Sequence, residues 1–274
     1  MPADWELLGG IRAAVLDMDG VLWRGNAALP GLVELFEFFD QAGISYILAT
    51  NNSTTTVNAY VEKLRRFGVT VRPESIVTSA VATADYLRLH YGDGVRVHVV
   101  GEAGLIQTLA EAGYSSVAAD ANVVVVGLDR EVTYEKLRRA STMIRNGARF
   151  IGTNADRTFP MPDGLVPGAG SLLAFLQACT DQQPLVIGKP EATMFAMALT
   201  RLGTRPDQTL MVGDRVDTDV VGARQAGLLT ALVLSGVTSA DMLASSPAQP
   251  DLLFDDIAAL RQAWQSVRGK SAPV

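Results

Sequence analysis

The chain has 274 residues, 48% of them hydrophobic, and a formal net charge of −6. This length predicts one large or two medium domains, and the absence of any apolar run of about 18 residues argues against a membrane span. The acidic balance and the lack of a basic tract argue against nucleic acid as an extended partner.

Few residues are available for thiol, histidine or disulfide chemistry. Cys179 is the single cysteine, which excludes an internal disulfide. It follows an apolar helical stretch, so we expect it to be a buried packing residue. The two histidines, His90 and His98, are expected to be structural or exposed, which leaves little for a Ser-His-Asp or zinc mechanism. The N-terminal residues do not resemble a signal peptide, and we expect a cytoplasmic protein.

Strand-like apolar runs alternate with helical patterns along the chain. In chain order the pattern predicts a strand at 13–16, a segment at 23–29 too short for a helix, a helix at 30–43, a strand at 44–49, a helix at 54–67 and a strand at 76–78. Such alternation is typical of βαβ units around a parallel sheet. The sequence therefore predicts an α/β fold.

The middle of the chain has its own set of alternating elements. Predicted strands lie at 95–100, 123–126 and 149–151, and predicted helices at 105–112 and 134–145. Such a segment can bury its own core, so we predict an inserted domain at 80–182, between a first core half at 1–79 and a second at 183–274. The alternative is one continuous, larger sheet.

Polar residues follow four predicted strands at the point where each strand ends. These residues are Asp17 and Asp19 after 13–16, Thr50, Asn51, Asn52 and Ser53 after 44–49, Lys189 after 185–187, and Asp214, Asp217 and Asp219 after 209–212. If the four strands are parallel in one sheet, the clusters meet along one edge. Together they would supply a nucleophile, hydroxyl and amide donors, a cation and metal-binding carboxylates, as phosphoryl transfer requires. Each segment alone could instead be a turn or a helix cap.

These four segments resemble the motifs of the haloacid dehalogenase superfamily. The sequence at 17–23, Asp-Met-Asp-Gly-Val-Leu-Trp, is similar to the first motif, and the segments at 50–53, 189–190 and 213–219 are similar to the second, third and fourth. The whole chain resembles the nitrophenylphosphatase and phosphoglycolate phosphatase branch, which carries a large type II cap. The residues at 153–156 and 167–171 resemble cap sequences of that branch, although Ala155 stands where proline is commoner.

The resemblance implies a Rossmann-like, doubly wound parallel core with an inserted α/β cap. It also implies a Mg²⁺-dependent phosphatase that acts on a small phosphorylated metabolite through an aspartyl-phosphate. The implied roles are Asp17 as nucleophile, Asp19 as general acid and base, Lys189 as the neutralising cation, and Thr50, Asn51 and Asn52 as ligands of the phosphate oxygens. The implied metal ligands are the Asp17 and Asp214 carboxylates and the Asp19 carbonyl, with Asp219 bracing a ligand or a metal-bound water. Asp217 matches no position of the family pattern.

Selectivity is expected to lie in the cap. We predict that the loop at 153–161 faces the substrate and that Asn154 and Asp156 contact it. The alternative is an ordinary turn in which both residues bind their own backbone. Members of the branch act on phosphoglycolate, pyridoxal phosphate, nucleoside monophosphates or sugar phosphates, and the sequence does not choose among them. Relatives with this cap often pair through it, so a homodimer is expected.

Three other functions remain open from the sequence. Carbon–halogen hydrolysis needs an aspartate nucleophile but neither Asp19 nor a metal. Transfer of the phosphoryl group to an acceptor other than water, as in mutases, would use the same motifs. A non-catalytic protein that binds a phosphate-bearing ligand could keep the fold. Asp19 and Asp214 argue against the first alternative, and a phosphate-release assay separates the other two from hydrolysis.

Overall fold

The computed structural model describes residues 5–161 and 164–270. Its strands, numbered in chain order, are β1 (Ala13–Leu16), β2 (Trp23–Arg24), β3 (Ala27–Ala28), β4 (Ser45–Thr50), β5 (Ile76–Thr78), β6 (Val97–Val100), β7 (Val123–Val126), β8 (Arg149–Gly152), β9 (Thr158–Met161), β10 (Gly164–Pro167), β11 (Leu185–Val186), β12 (Thr209–Gly213), β13 (Leu229–Val233) and β14 (Leu252–Phe254). Its helices are α1 (Leu32–Ala42), α2 (Val57–Arg66), α3 (Ser79–Tyr91), α4 (Ala103–Glu111), α5 (Tyr134–Arg145), α6 (Ala169–Thr180), α7 (Ala192–Leu202), α8 (Val221–Gln225), α9 (Ala240–Ala244) and α10 (Ile257–Lys270).

Six strands form one sheet in the order β14-β13-β12-β1-β4-β5. Strand β1 pairs in parallel with β12 on one side and with β4 on the other, and β13 pairs in parallel with both β12 and β14. The chain proceeds from β1 through β4 to β5 on one side, and the late strands fill the other side. The strand order therefore reverses at β1, which is where ligands bind in doubly wound sheets.

Four strands form a second sheet in the order β11-β8-β7-β6, and their pairings are parallel. Helices α5 and α6 pack on this sheet. Their contact surface is a core of buried apolar residues that includes Val124, Val126, Leu137, Phe150 and Leu173. Two sheets of parallel strands with flanking helices confirm the predicted α/β fold. Because the strands form two sheets and not one, the alternative of one larger sheet is wrong.

Contacts divide the chain into two compact units. The first contains the described residues through Thr50, Val61–Ile76 and the described residues from Phe195 onward. The second contains Asn51–Tyr60 and Val77–Met194. The predicted domain bounds of 1–79, 80–182 and 183–274 stay a prediction. No described helix is both long and apolar enough to cross a membrane.

Helix α1 illustrates how the sequence produces the elements of the first unit. Its apolar side chains recur at helical spacing, and Leu32, Leu35, Phe36 and Phe39 are buried. Phe39 also packs edge-on against Trp264 of α10, with ring centroids 5.7 Å apart. The helix ends at Gly43, whose φ of 64° is left-handed and therefore suits glycine.

The short strand before Lys189 is not where the sequence suggested. Leu185 and Val186 pair with Ile151 and Gly152, at the edge of the four-stranded sheet. The prediction that this strand lies in the same sheet as the other three is therefore wrong, and the strand is not fully buried. Two paired residues carry no periodicity that could identify their sheet. The strands predicted at 13–16, 44–49 and 209–212 do lie in the six-stranded sheet.

Two further expectations are corrected by local structure. Cys179 is exposed rather than buried, because the buried face of α6 consists of Ala169, Leu173, Leu176 and Thr180. The segment predicted as a loop at 153–161 ends in strand β9, which pairs antiparallel with β10. The segment at 23–29 is not a helix, as expected, and contains the small hairpin of β2 and β3.

Candidate active site

Asp17 and Asp19 lie where β1 ends. The Asp17 N–H donates to the Val212 carbonyl at 2.8 Å, which continues the pairing of β1 with β12. The Asp17 side chain is half-buried and the Asp19 side chain is exposed. Both carboxylates therefore lie at the carboxyl end of the central strand, with access to a ligand.

Three carboxylates lie together in the first unit, and we call Asp17, Asp214 and Asp219 the acidic group. One carboxylate oxygen of each lies within 4.8 Å of the others. Asp214 and Asp219 are only 2% and 1% exposed. Like charges this close and this buried repel one another, and a cation relieves the repulsion. The donors are all oxygen atoms, which is the set that Mg²⁺ prefers, so these residues fit the implied metal.

Backbone groups and glycines fix Asp214. Its Oδ2 accepts a hydrogen bond from the Val237 N–H at 2.6 Å. A Cβ atom on Gly20 or on Gly236 would collide with the Asp214 carboxylate, and Gly20 also has a left-handed φ of 86°. The Ser235 hydroxyl donates to the Gly20 carbonyl at 2.7 Å. The loop after β13 therefore positions a metal-ligand candidate, a role that sequence reasoning missed. The sequence feature that indicates this loop is a polar, glycine-containing segment directly after β13, which is a further strand of the same sheet.

Asp219 lies on the single π-helical turn Val216–Val220, which follows β12. Its Oδ2 accepts from the Arg215 N–H at 3.1 Å. A Cβ atom on Gly213 would collide with the Asp219 side chain, so glycine allows the carboxylate to approach the strand end. Asp217 on the same turn lies outside the acidic group and forms an ion pair with the Arg215 side chain at 2.8 Å. The Arg215 hydrogen bonds hold the pKa of Asp217 below its ordinary value.

Asp19 has a partner that sequence reasoning also missed. The indole Nε1–H of Trp23 donates to Asp19 Oδ1 at 2.7 Å. Trp23 is part of the motif at 17–23, but the motif alone does not indicate that its side chain turns back onto Asp19.

Several polar residues gather in the second unit, and we call Asn51, Asn154 and Asp156 the amide group. The Asn51 side-chain amide donates to the Lys189 carbonyl at 2.9 Å and to Asp156 Oδ2 at 3.2 Å. The Asn154 amide donates to the Asn51 carbonyl at 2.8 Å. A Cβ atom on Gly188 would lie 2.6 Å from Asn51 Oδ1. The structure thus brings together three predicted substrate-binding residues and the backbone of Lys189.

Other predicted binding residues have local roles or are buried. Asn52 Oδ1 accepts from both the N–H and the hydroxyl of Thr54 at 2.8 Å, which closes a turn before α2. Thr50, the last residue of β4, and Lys189 are buried. His98 Nδ1 lies 2.7 Å from the Val117 carbonyl, and His90 is exposed, so neither histidine belongs to the acidic group.

Comparisons with known proteins match these observations. Residues 14–115 match the family described as haloacid dehalogenase-like hydrolase, and residues 186–260 match one described as HAD-hydrolase-like. The chain is 37% identical to dihydroxyacetone phosphatase of Corynebacterium glutamicum, over 93% of this chain and 93% of that protein. It is 38% identical to acid sugar phosphatase of Staphylococcus aureus, over 90% of this chain and 95% of that protein.

A solved structure extends the likeness to the fold. The 4-nitrophenylphosphatase of Thermotoga maritima superposes with a TM-score of 0.91 at 33% identity, over 94% of this chain and 99% of that one. Sequence and structure agree over nearly the whole length. This chain therefore belongs to the haloacid dehalogenase-like hydrolases, within their branch of nitrophenylphosphatase-type enzymes.

Proposed function

We propose that the protein is a Mg²⁺-dependent phosphomonoester hydrolase that works through an aspartyl-phosphate on Asp17. The acidic group carries the proposal. Three carboxylates converge at the switch point of a doubly wound sheet, where phosphoryl-transfer enzymes need to neutralise charge. Bound Mg²⁺ would neutralise charge on the phosphoryl oxygens and on the attacking carboxylate.

The reaction has two steps in this proposal. A carboxylate oxygen of Asp17 attacks phosphorus, the bond to the leaving alcohol breaks, and Asp19 gives the alcohol a proton. Asp19 then takes a proton from a water that attacks the phosphoryl group, and the bond to Asp17 breaks to release phosphate. The half-buried Asp17 and the exposed Asp19 suit a nucleophile and a proton shuttle, respectively.

The phosphate-binding assignments rest on the family resemblance. We propose that Lys189 neutralises the phosphoryl group and that Thr50, Asn51 and Asn52 donate to its oxygens. Asn51 and Asn52 already make the local hydrogen bonds described above. For these two residues we therefore favour backbone N–H groups as donors to the phosphate.

The proposed substrate is a small phosphorylated metabolite. Relatives of nearly equal identity are named for different substrates, a dihydroxyacetone phosphatase and an acid sugar phosphatase. Overall identity therefore does not select the substrate. A panel of triose, sugar and nucleoside monophosphates, together with phosphoglycolate and pyridoxal phosphate, would rank the candidates by kcat/KM.

The first experiment measures phosphate release with and without Mg²⁺ and an excess of chelator. Activity should require the metal, and Mg²⁺ should raise the melting temperature of the wild type, because a ligand that binds only the folded state stabilises it. Asp214→Asn should abolish both effects. Full phosphate release in chelator would contradict the metal dependence, whereas halide release from a haloacid without phosphate release would favour the metal-free dehalogenase alternative. Turnover only with an alcohol acceptor would favour phosphoryl transfer, and ligand binding without turnover would favour a non-catalytic protein.

We also propose a homodimer formed through the segment 80–182, on the basis of the family resemblance. Light scattering of the purified protein should give twice the mass of one chain. A single-chain mass at micromolar concentration would contradict the dimer without affecting the proposed chemistry.

A further inference from the structure

Trp23 and Asp19 lie on one short backbone turn and are joined by the indole hydrogen bond. The backbone between the two residues forms a closed turn, in which the Leu22 N–H donates to the Met18 carbonyl and the Gly20 N–H donates to the Trp23 carbonyl, both at 2.8 Å. Met18, Leu22 and Trp23 are completely buried. The indole is therefore a rigid group, held a fixed distance from the residue that the proposed mechanism uses for proton transfer.

Two side chains lie against the Trp23 ring, one from α2 and one from the residue after that helix. The Lys63 ammonium lies 4.2 Å from the centroid of the ring, and the Phe67 ring centroid lies 6.1 Å from it. Such a cation over an indole face is attracted by the π electrons. Burial lowers the pKa of Lys63, and the negative charge of Asp19 acts in the opposite direction.

An exposed aspartate otherwise samples several rotamers, and a general acid works only when its proton points at the leaving group. The indole N–H can only donate, so it pairs with a lone pair of Asp19 Oδ1 in both protonation states. The transferable proton of the acid form then resides on Oδ2.

We propose that Trp23 is a positioning residue that fixes the Asp19 carboxylate through its indole N–H and so directs Oδ2 toward the leaving group and the attacking water. This inference rests on the proposed function, because it assigns Trp23 a task only if Asp19 is the general acid. Lys63 supports the same geometry through its cation–π contact with the ring.

The test compares two substrates that differ in leaving group. Phenolate leaves with more difficulty than 4-nitrophenolate and needs the proton of a general acid more. The ratio of kcat/KM for 4-nitrophenyl phosphate to that for phenyl phosphate therefore reports Asp19 function in the first step. Trp23→Phe should raise this ratio about tenfold, as partial loss of general-acid catalysis. Asp19→Asn should raise it further, and Asp19→Asn with Trp23→Phe no more than Asp19→Asn alone.

Phe67→Leu is the matched control, since it loosens packing on the same ring and leaves the indole N–H in place. It should lower the melting temperature without changing the ratio. If Trp23→Phe does not fold, a site-specific tryptophan analogue with sulfur in place of the N–H keeps the shape and removes the donor. Its expected result is the same rise in ratio.

Equal losses of kcat/KM on both substrates in Trp23→Phe would overturn the role of Trp23. A rise in the ratio for Phe67→Leu as large as that for Trp23→Phe would overturn it too. An unchanged ratio in Asp19→Asn would overturn it as well, because Asp19 would then not be the acid. Absence of phosphatase activity in the wild type would instead contradict the proposed function, so the two failures are distinguishable.

Discussion

The acidic group and the amide group show two ways of assembling polar side chains in one protein. In the first, three carboxylates of the same charge are brought within 4.8 Å of one another by backbone donors and close glycines. In the second, amide donors meet carbonyl and carboxylate acceptors. Like charges oppose folding until a cation binds, whereas matched donors and acceptors stabilise the fold by themselves. We infer that the first group serves chemistry and the second mainly shapes the chain around Gly188.

The largest expected effect tests the chemistry of the acidic group. Asp17→Asn keeps the size of the side chain but removes the attacking charge, so phosphatase activity should fall by several orders of magnitude. Circular dichroism should show an unchanged fold, and a steady-state phosphate assay gives the loss. The matched control is Asp217→Asn, a loss of one carboxylate outside the group. Retention of more than a few per cent of activity by Asp17→Asn would rule out the covalent mechanism.

A second prediction tests whether glycines hold the acidic group together. Gly20 and Gly25 both have left-handed φ angles, 86° and 55°, but only a Cβ on Gly20 meets Asp214. Alanine at either position should cost about 1–2 kcal/mol of unfolding free energy for the backbone strain. Only Gly20→Ala should also displace Asp214 and lower activity, by at least about tenfold. Chemical denaturation and kcat/KM separate the two effects, and equal activity in both variants would show that Asp214 tolerates the added methyl group.

A third prediction separates two members of the amide group. Asn154 is buried, donates to the Asn51 carbonyl and accepts from the Asp156 N–H at 3.1 Å, whereas Asp156 is only half-buried. Asn154→Ala should therefore lower the unfolding free energy by about 1–3 kcal/mol, because it removes the hydrogen bonds of a buried side chain to the Asn51 carbonyl and from the Asp156 N–H. It should not change the order of preferred substrates.

Asp156→Ala is the counterpart of that variant. If the loop at 153–161 selects substrate, as the sequence predicts, this variant should change the ranking of phosphomonoesters by kcat/KM. It should lower the unfolding free energy less than Asn154→Ala does. Turnover of 4-nitrophenyl phosphate should stay within about tenfold of the wild-type rate, which corresponds to a change of about 1.4 kcal/mol in the activation free energy. An unchanged ranking in Asp156→Ala would remove the loop from the specificity site and leave the amide group purely structural.

The contrast between the two groups also explains what the sequence could predict. Asp17 and Asp214 each follow a buried apolar strand, and that local pattern places both at the carboxyl edge of a parallel sheet. The closure of the loop at 235–238 on Asp214 depends on tertiary approach, which no local pattern encodes. The contact of Trp23 with Asp19 is local, but it depends on a side-chain direction that the motif does not reveal. The sequence places Leu185 in the wrong sheet, because a two-residue strand has too little pattern to identify its neighbours.

The smallest expected effect concerns Asp217, the carboxylate on the same π-helical turn as Asp219 but outside the acidic group. Its ion pair with Arg215 is exposed, with the Asp217 side chain 68% accessible, so it should contribute only about 0.2–1 kcal/mol. Asp217→Asn should leave kcat/KM within about twofold, because the acidic group is untouched.

The sign of the pH dependence follows from the lowered pKa of Asp217 in the folded protein. The stabilisation is present above the ordinary aspartate pKa of about 3.9 and is lost as the pH falls through the lower folded value. The difference in unfolding free energy between wild type and Asp217→Asn should therefore be greatest near neutral pH and vanish in acid. Urea denaturation of both proteins, at neutral pH and in acid, measures this difference. A large loss of activity in Asp217→Asn would instead place Asp217 among the functional carboxylates, together with Asp17, Asp214 and Asp219.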